Sequence, residues 1–207
     1  MLEVKHLTVG MVGTNCYVAA NQMSKEAVII DPGDEAKRID RLIKENGYEP
    51  QAILLTHGHF DHVMAVDALS AEYGLKVFAH ELERETLEDP EMNVSGMMGR
   101  TMTFHATDYV RDGELLNLAG YTFQVLLTPG HTRGGVCYYL ASENVLFSGD
   151  TLFAGSVGRT DFPGGSMGVL VGSIREKLLT LPDETIVYPG HMESTTIGAE
   201  RTGNMFL

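Results

Sequence analysis

Residues 56–62 read Thr-His-Gly-His-Phe-Asp-His, which places His57, His59, Asp61 and His62 within six positions. Imidazole nitrogens and carboxylate oxygens are the ligand atoms that zinc and similar divalent metals take. In a tight turn His59 and Asp61 project differently from His57 and His62, so one short loop can feed two ions. The segment follows an apolar run, Ala52-Ile53-Leu54-Leu55. There a chain turns out of a sheet, and its side chains can converge on one point.

Three other places repeat this order of residues. Phe123–Thr128 leads through Pro129-Gly130 to His131, Val145–Ser148 through Gly149 to Asp150, and Thr185–Tyr188 through Pro189-Gly190 to His191. A glycine beside a ligand lets the backbone turn sharply and lets a metal come close. Seven ligand-type side chains at four strand ends is what an active site on a rigid sheet edge requires. Five of the eight histidines fall in this pattern; His6, His80 and His105 lie outside it and read as ordinary polar residues.

The elements that must position these groups alternate between strand-like and helix-like. Strands are expected at 2–9, 15–20, 27–31, 51–56 and 76–80, and then at 121–127, 135–140, 144–148 and 185–190. The stretch 34–47 reads as an amphipathic helix: Asp34 is a candidate N-cap, Ile39, Leu42 and Ile43 share a face, and Gly47 is the stop. Further helices are expected at 64–73, at 81–88 with a solvated charged face, and from Ser166 to before Pro182. Residues 89–107 are irregular and carry Met92, Met97, Met98 and Met102. These read as core filler, with a flexible pocket lining as the alternative. No linker divides the chain, so residues 1–207 are expected to form a single domain.

Composition narrows the function. There are 15 Lys+Arg against 28 Asp+Glu, a net charge of −13, and the cations are scattered. A general nucleic-acid binder needs a basic stripe, and an anionic membrane surface needs a basic cluster. Two cysteines, Cys16 and Cys137, give neither a disulfide framework nor a CxxC zinc knuckle. The first residues lack a basic segment followed by an apolar core, and no apolar run approaches the ~20 residues of a membrane span. A cytoplasmic protein with a small-molecule substrate is the expectation.

The motif His-x-His-x-Asp-His, followed by a distant His, Asp and His, resembles the metallo-β-lactamase superfamily. Asn15-Cys16-Tyr17, Asp31-Pro32-Gly33 and Ser148-Gly149-Asp150-Thr151 extend the likeness along the chain. Gly158-Arg159-Thr160-Asp161-Phe162 and Thr195-Thr196-Ile197-Gly198 are similar to short bacterial glyoxalase-II-like hydrolases. The resemblance implies an α/β fold, a four-layer αββα sandwich of two mixed sheets with helices outside. It implies His57, His59 and His131 on one metal, Asp61, His62 and His191 on a second, and Asp150 bridging both. A carboxylate at 150, where a thiolate usually stands in B1-type β-lactamases, argues against that class. Asp31 corresponds to an acceptor that orients a ligating histidine, although Asp-Pro-Gly also reads as a plain helix entry. Arg159 and Phe162 correspond to substrate contacts, with a solvated loop cation as the plain reading of Arg159.

The implied activity is that of a binuclear hydrolase, a glyoxalase-II-like thioesterase using a metal-bridging hydroxide. The implied cofactors are two divalent ions, zinc first, with iron or manganese as alternatives. Such a site holds its ions about 3.5–4 Å apart and lowers the pKa of bound water towards about 7. Asp61 would both ligate and orient that hydroxide. Glyoxalase II proper carries a C-terminal helical region with basic residues that grip glutathione. Here Arg201 is the only cation after His191, which leaves the thiol carrier open. The alternative is a persulfide dioxygenase on the same fold, with one iron on His57, His131 and Asp150.

Overall fold

The computed structural model describes residues 1–207. Two six-stranded sheets dominate it. The first runs in chain order: β1 Leu2–Val9, β2 Thr14–Asn21, β3 Glu26–Ile30, β4 Glu49–Leu54, β5 Lys76–His80 and β6 Asp108–Val110. Its first three strands are antiparallel, and β3 to β6 are parallel. The second sheet holds β7 Leu115–Leu118, β8 Tyr121–Leu127, β9 Val136–Leu140, β10 Val145–Gly149, β13 Ile186–Pro189 and β14 Thr195–Thr196. Its order is β14-β13-β10-β9-β8-β7, and only β10 and β13 pair in parallel. A small hairpin, β11 Leu152–Phe153 with β12 Ser156–Val157, follows β10.

Period-two alternation along the strands divides the core into three layers. Val28, Ile30 and Leu54 meet Phe123, Val125, Tyr138 and Phe147 between the sheets. The opposite faces of β3 and β4, through Ala27, Ile29 and Ile53, pack on helices α1 Ala36–Asn46 and α3 Val66–Tyr73. Cys137, Tyr139 and Leu146 turn the other way, onto α5 Met167–Ser173 and α6 Ile197–Gly203. The result is the expected αββα sandwich. No helix is long and apolar enough to cross a membrane.

Several local expectations need correction. The N-cap of α1 is Glu35, in left-handed backbone at φ 52° and with no side-chain cap bond; Asp34 instead accepts from the Glu35 amide at 2.6 Å. The helix expected at 64–73 is present as α3, and a separate short helix, α2 Phe60–Val63, precedes it and carries Asp61 and His62. Ser166 stands at the N-cap of α5 without a side-chain cap bond, and the helix runs on into a π-helical turn, Ile174–Leu178. The segment 81–88 is a single 3-10 turn, Glu81–Glu83, followed by α4 Arg84–Glu88. It is not simply a solvated face, because Glu83, Thr86 and Leu87 are buried. Met97 and Met98 are exposed, which rules them out as core filler.

The inter-sheet layer dominates stability. Phe123 is fully buried there, so Phe123→Ala should destabilise the fold by about 3–5 kcal/mol. Met23→Ala, at 90% exposure, should stay within about 0.5 kcal/mol. Denaturant unfolding of the two variants beside wild type checks the contrast.

Candidate metal centre

Strands β3, β4, β8, β10 and β13 deliver their following residues to one edge of the sandwich. Asp31 follows β3, the segment 56–62 follows β4, His131 follows β8, Asp150 follows β10 and His191 follows β13. The edge is tied across the sheets. Val136 donates its amide to Thr56, and the Tyr138 hydroxyl donates to the Leu55 carbonyl at 2.9 Å. On the far side, Asn15 Nδ2 and the Tyr17 hydroxyl both donate to the Pro189 carbonyl, at 3.1 and 2.7 Å.

All seven ligand-type side chains converge there. His57, His59 and His131 form one cluster able to hold a metal ion, and Asp61, His62 and His191 form another. The two are joined through Asp150, whose Oδ1 lies 3.4 Å from His62 Nε2 and whose Oδ2 lies 3.5 Å from His131 Nε2 and 3.6 Å from His191 Nε2. His59 Nδ1 and His131 Nε2 are 2.9 Å apart, and His62 and His191 approach through their Nε2 atoms at 3.4 Å. Gly190 has no room for a side chain, since a Cβ there would run into Asp150 Oδ1 and the His62 ring.

Each imidazole except His59 is held from behind by an oxygen. His57 Nδ1 contacts Thr56 Oγ1 at 3.1 Å, and His62 Nδ1 contacts Asp31 Oδ2 at 3.0 Å. The Arg159 carbonyl lies 2.7 Å from His131 Nδ1, and the Gly13 carbonyl 3.3 Å from His191 Nδ1. A partner on one ring nitrogen fixes the ring and aims the other nitrogen at a metal. Asp31 can be grouped geometrically with His57 and His62 as a third cluster. Its oxygens are already engaged, however: Oδ1 accepts from the Thr56 amide at 2.8 Å, and Oδ2 takes the Thr56 hydroxyl at 2.6 Å as well as His62. It braces the ring and does not point a free lone pair inward.

The inward atoms fit a metal on one further ground. His57 Nε2 and Asp150 Oδ1 are buried with no hydrogen-bond partner. Unpaired buried polar atoms are costly, and a bound cation would satisfy lone pairs at a site of this composition. Electrostatics separates the two clusters. Burial, together with the neighbouring imidazoles, holds His57 well below the usual histidine range. Burial and then His131 bring His59 down to about 3. For His62 burial acts in the same direction but is outweighed by Asp150 and Asp61, which hold it well above the ordinary value. His191 is raised too, because its Asp61 contact and Asp150 outweigh its burial. Burial would push the Asp61 carboxyl up, yet His62 and His191 hold it at about 2.

A sequence model of the metallo-beta-lactamase superfamily matches residues 9–191. The chain belongs to the metallo-beta-lactamase superfamily. It is 40% identical to hydroxyacylglutathione hydrolase GloC of Haemophilus influenzae, over 88% of each chain. Among solved structures it is similar to BLEG-1 B3 metallo-beta-lactamase, at 45% identity and a TM-score of 0.94, covering 99% of both chains. It is also similar to TTHA1623 in a di-iron-bound form, at 39% identity and a TM-score of 0.87, covering 98% of this chain and 100% of that one.

In this superfamily member the remaining expected residues fall in two places. Arg159 and Phe162 stand on the wall of a cavity of about 600 Å³ that opens over the clusters. The Arg159 guanidinium grips both oxygens of Asp161, at 2.7 and 2.6 Å, and lies 3.9 Å from the Phe162 ring centre. His6, His80 and His105 are remote from the ligand clusters; His80 caps its own turn by accepting from the Leu82 amide. Two supporting residues escape a sequence reading. Thr14 donates its hydroxyl to Asp61 Oδ2 at 3.0 Å, and Glu83 is fully buried beneath the histidine loop. Neither stands in a pattern that marks it.

The two clusters should therefore load metal with different proton counts. A group whose pKa is raised keeps its proton below that pKa and must release it to become a ligand. His57 and His59 are neutral at pH 7 already, whereas His62 is protonated. Zinc binding between pH 7.5 and 6 should release no proton from His57 or His59. Zinc affinity of the Asp61–His62–His191 cluster should fall by at least about tenfold per pH unit over the same range. Calorimetric titration in buffers of differing ionisation enthalpy counts the protons; equal release at both sites would contradict the assignment.

Proposed function

We propose that the chain is a binuclear metal-dependent hydrolase whose substrate is a small thioester. The observation that carries this reading is the convergence of five imidazoles and two carboxylates, with free inward lone pairs, at the floor of an open cavity. The relative named hydroxyacylglutathione hydrolase supports the thioester, and the relative solved with two irons supports a pair of ions. His57, His59 and His131 would hold one ion, Asp61, His62 and His191 the other, and Asp150 both. Two divalent ions bound there, zinc first and iron as the alternative, supply Lewis acidity and a water of lowered pKa.

The chain's own groups account for the rest. Asp61 lies on the cavity wall and stays ionised, so it can accept a hydrogen bond from an attacking water and aim it. Phe153, Val157 and Phe162 give the cavity an apolar wall, which strengthens the electrostatics at its floor by excluding water. Arg159 is spent largely on Asp161, so its part in substrate binding is to shape that wall beside Phe162 and to brace His131 through its carbonyl. Neither cysteine competes with water as a nucleophile. Cys16 and Cys137 are buried, and burial raises both thiols, Cys137 to about 11.

Elemental analysis of the loaded protein should give two divalent ions per chain. Thioester hydrolysis should be lost on chelation and return with zinc. Asp150→Asn should cost more than about a hundredfold in activity, because changes one shell further out already cost 10–100-fold. His80→Ala should stay within about twofold. One iron per chain, with oxygen uptake on a persulfide and no thioester turnover, would replace this reading by the dioxygenase one.

A further inference from the structure

Glu83 ends the 3-10 turn that follows β5, and its side chain is fully buried. Its Oε2 accepts from the Gly58 amide at 2.7 Å, and its Oε1 accepts from the Gly134 amide at 2.8 Å. Gly58 separates His57 from His59, and Gly134 lies just past His131. One carboxylate thus grips the backbone of both loops that carry the three-histidine cluster. The backbones are pressed together around it. A Cβ on Gly134 would meet Glu83 N and Leu82 C at 2.7 Å, and one on Gly58 would meet Leu87 N at 3.0 Å.

Filling space does not require this residue. A buried carboxylate carries a desolvation cost that an apolar side chain of similar volume avoids. What the carboxylate adds is two acceptor oxygens on a short, forked end, each facing one amide. The other cluster hangs from different supports. His62 is braced by Asp31, His191 by Gly13, and the turn before His191 by Asn15 and Tyr17. Removing Glu83 therefore loosens the relation between the His57–His59 loop and His131 and leaves the second cluster's braces intact.

We propose that Glu83 is a positioning residue that sets the spacing between the His57-Gly58-His59 loop and His131, and with it the metal affinity of the three-histidine site alone. The proposal rests on the binuclear reading above. Its probe is Glu83→Gln, which keeps the shape but turns one acceptor into an NH2 donor facing a backbone N–H. The substitution is made in two backgrounds, His191→Ala to weaken the second site and His59→Ala to weaken the first, and zinc affinity is measured by chelator competition. In the His191→Ala background, Glu83→Gln should weaken zinc binding at least about tenfold, within the range for a lost supporting contact. In the His59→Ala background affinity should change less than about twofold. A merely structural role would lower the melting temperature of the metal-free protein and leave both affinities unchanged, or lower them in parallel; either result overturns the proposal.

A second measurement needs no substitution. In the metal-free wild-type protein, the Gly58 and Gly134 amide protons should exchange with solvent far more slowly than those of the exposed turn at 11–12. Fast exchange at either overturns the clamp even if Glu83→Gln fails to fold. A wild-type chain that binds no divalent ion overturns the binuclear reading and this proposal together. Two intact sites with no selective loss overturn this proposal alone.

Discussion

Seven ligand-type groups crowd into a space where neighbouring nitrogens and oxygens stand 2.9–3.7 Å apart. Everything near the strand ends answers to that crowding. Imidazoles packed this closely cannot all carry protons, and carboxylates taken from water must find opposite charge. The molecule meets both conditions by unequal treatment. His57 and His59 are desolvated and held low, while His62 sits among Asp31, Asp61 and Asp150, which hold it high. The rear oxygens complete the arrangement. They leave few rotamers open to the rings of His57, His62, His131 and His191, so the inward atoms of these rings are aimed before any ion arrives.

The sheets supply the rigidity this requires. A ligand on a long loop would wander by more than the spacing between its neighbours. Here the ligand-type groups leave the ends of strands that are bonded to strands on each side. The hydrogen bonds from Tyr138, Val136, Asn15 and Tyr17 then cross between the sheets at the level of the site. Relative slip of the two sheets is thereby restrained where it would do most harm. The glycines at these ends serve closeness: Gly190 lies against Asp150 and His62 with no space for even a methyl group.

The ligand-type residues were legible because they are concentrated. Four ligand-type residues in six positions, and three further strand ends with the same order, are improbable as loop decoration. The sandwich was legible through its apolar runs and glycine stops. The braces were not. Glu83 belongs to a run of charged residues, Glu81 to Glu88, whose composition matches a solvated helix. Nothing in one dimension separates the one glutamate that turns inward from the neighbours that stay wet. Thr14 is likewise one of many threonines. The methionines misled for the opposite reason. Met97 and Met98 look like core filler by type, yet a short 3-10 turn entered through Val94 at φ 68° carries them to the cavity rim. A reading by residue type finds the groups whose chemistry is rare and misses those whose burial is the unusual feature.

That division has a physical basis in how the site is held. Ligands must have specific chemistry, so their identities are constrained wherever they fall. Braces need only present an acceptor at the right distance, and the chain meets that need from whatever is near: a carbonyl of Arg159 or Gly13, a hydroxyl of Thr56, a carboxylate of Asp31 or Glu83. Backbone carbonyls can do the task without any sequence signature at all. Carboxylates appear at the two places where one side chain must serve more than one partner. Asp31 joins the Thr56 backbone and side chain to His62, and Glu83 joins Gly58 to Gly134. A carbonyl is fixed to its own strand, whereas a carboxylate has two oxygens on a stem that reaches between strands. The charged residue is used where the geometry demands a fork, and its burial cost is offset by the several donors that converge on it.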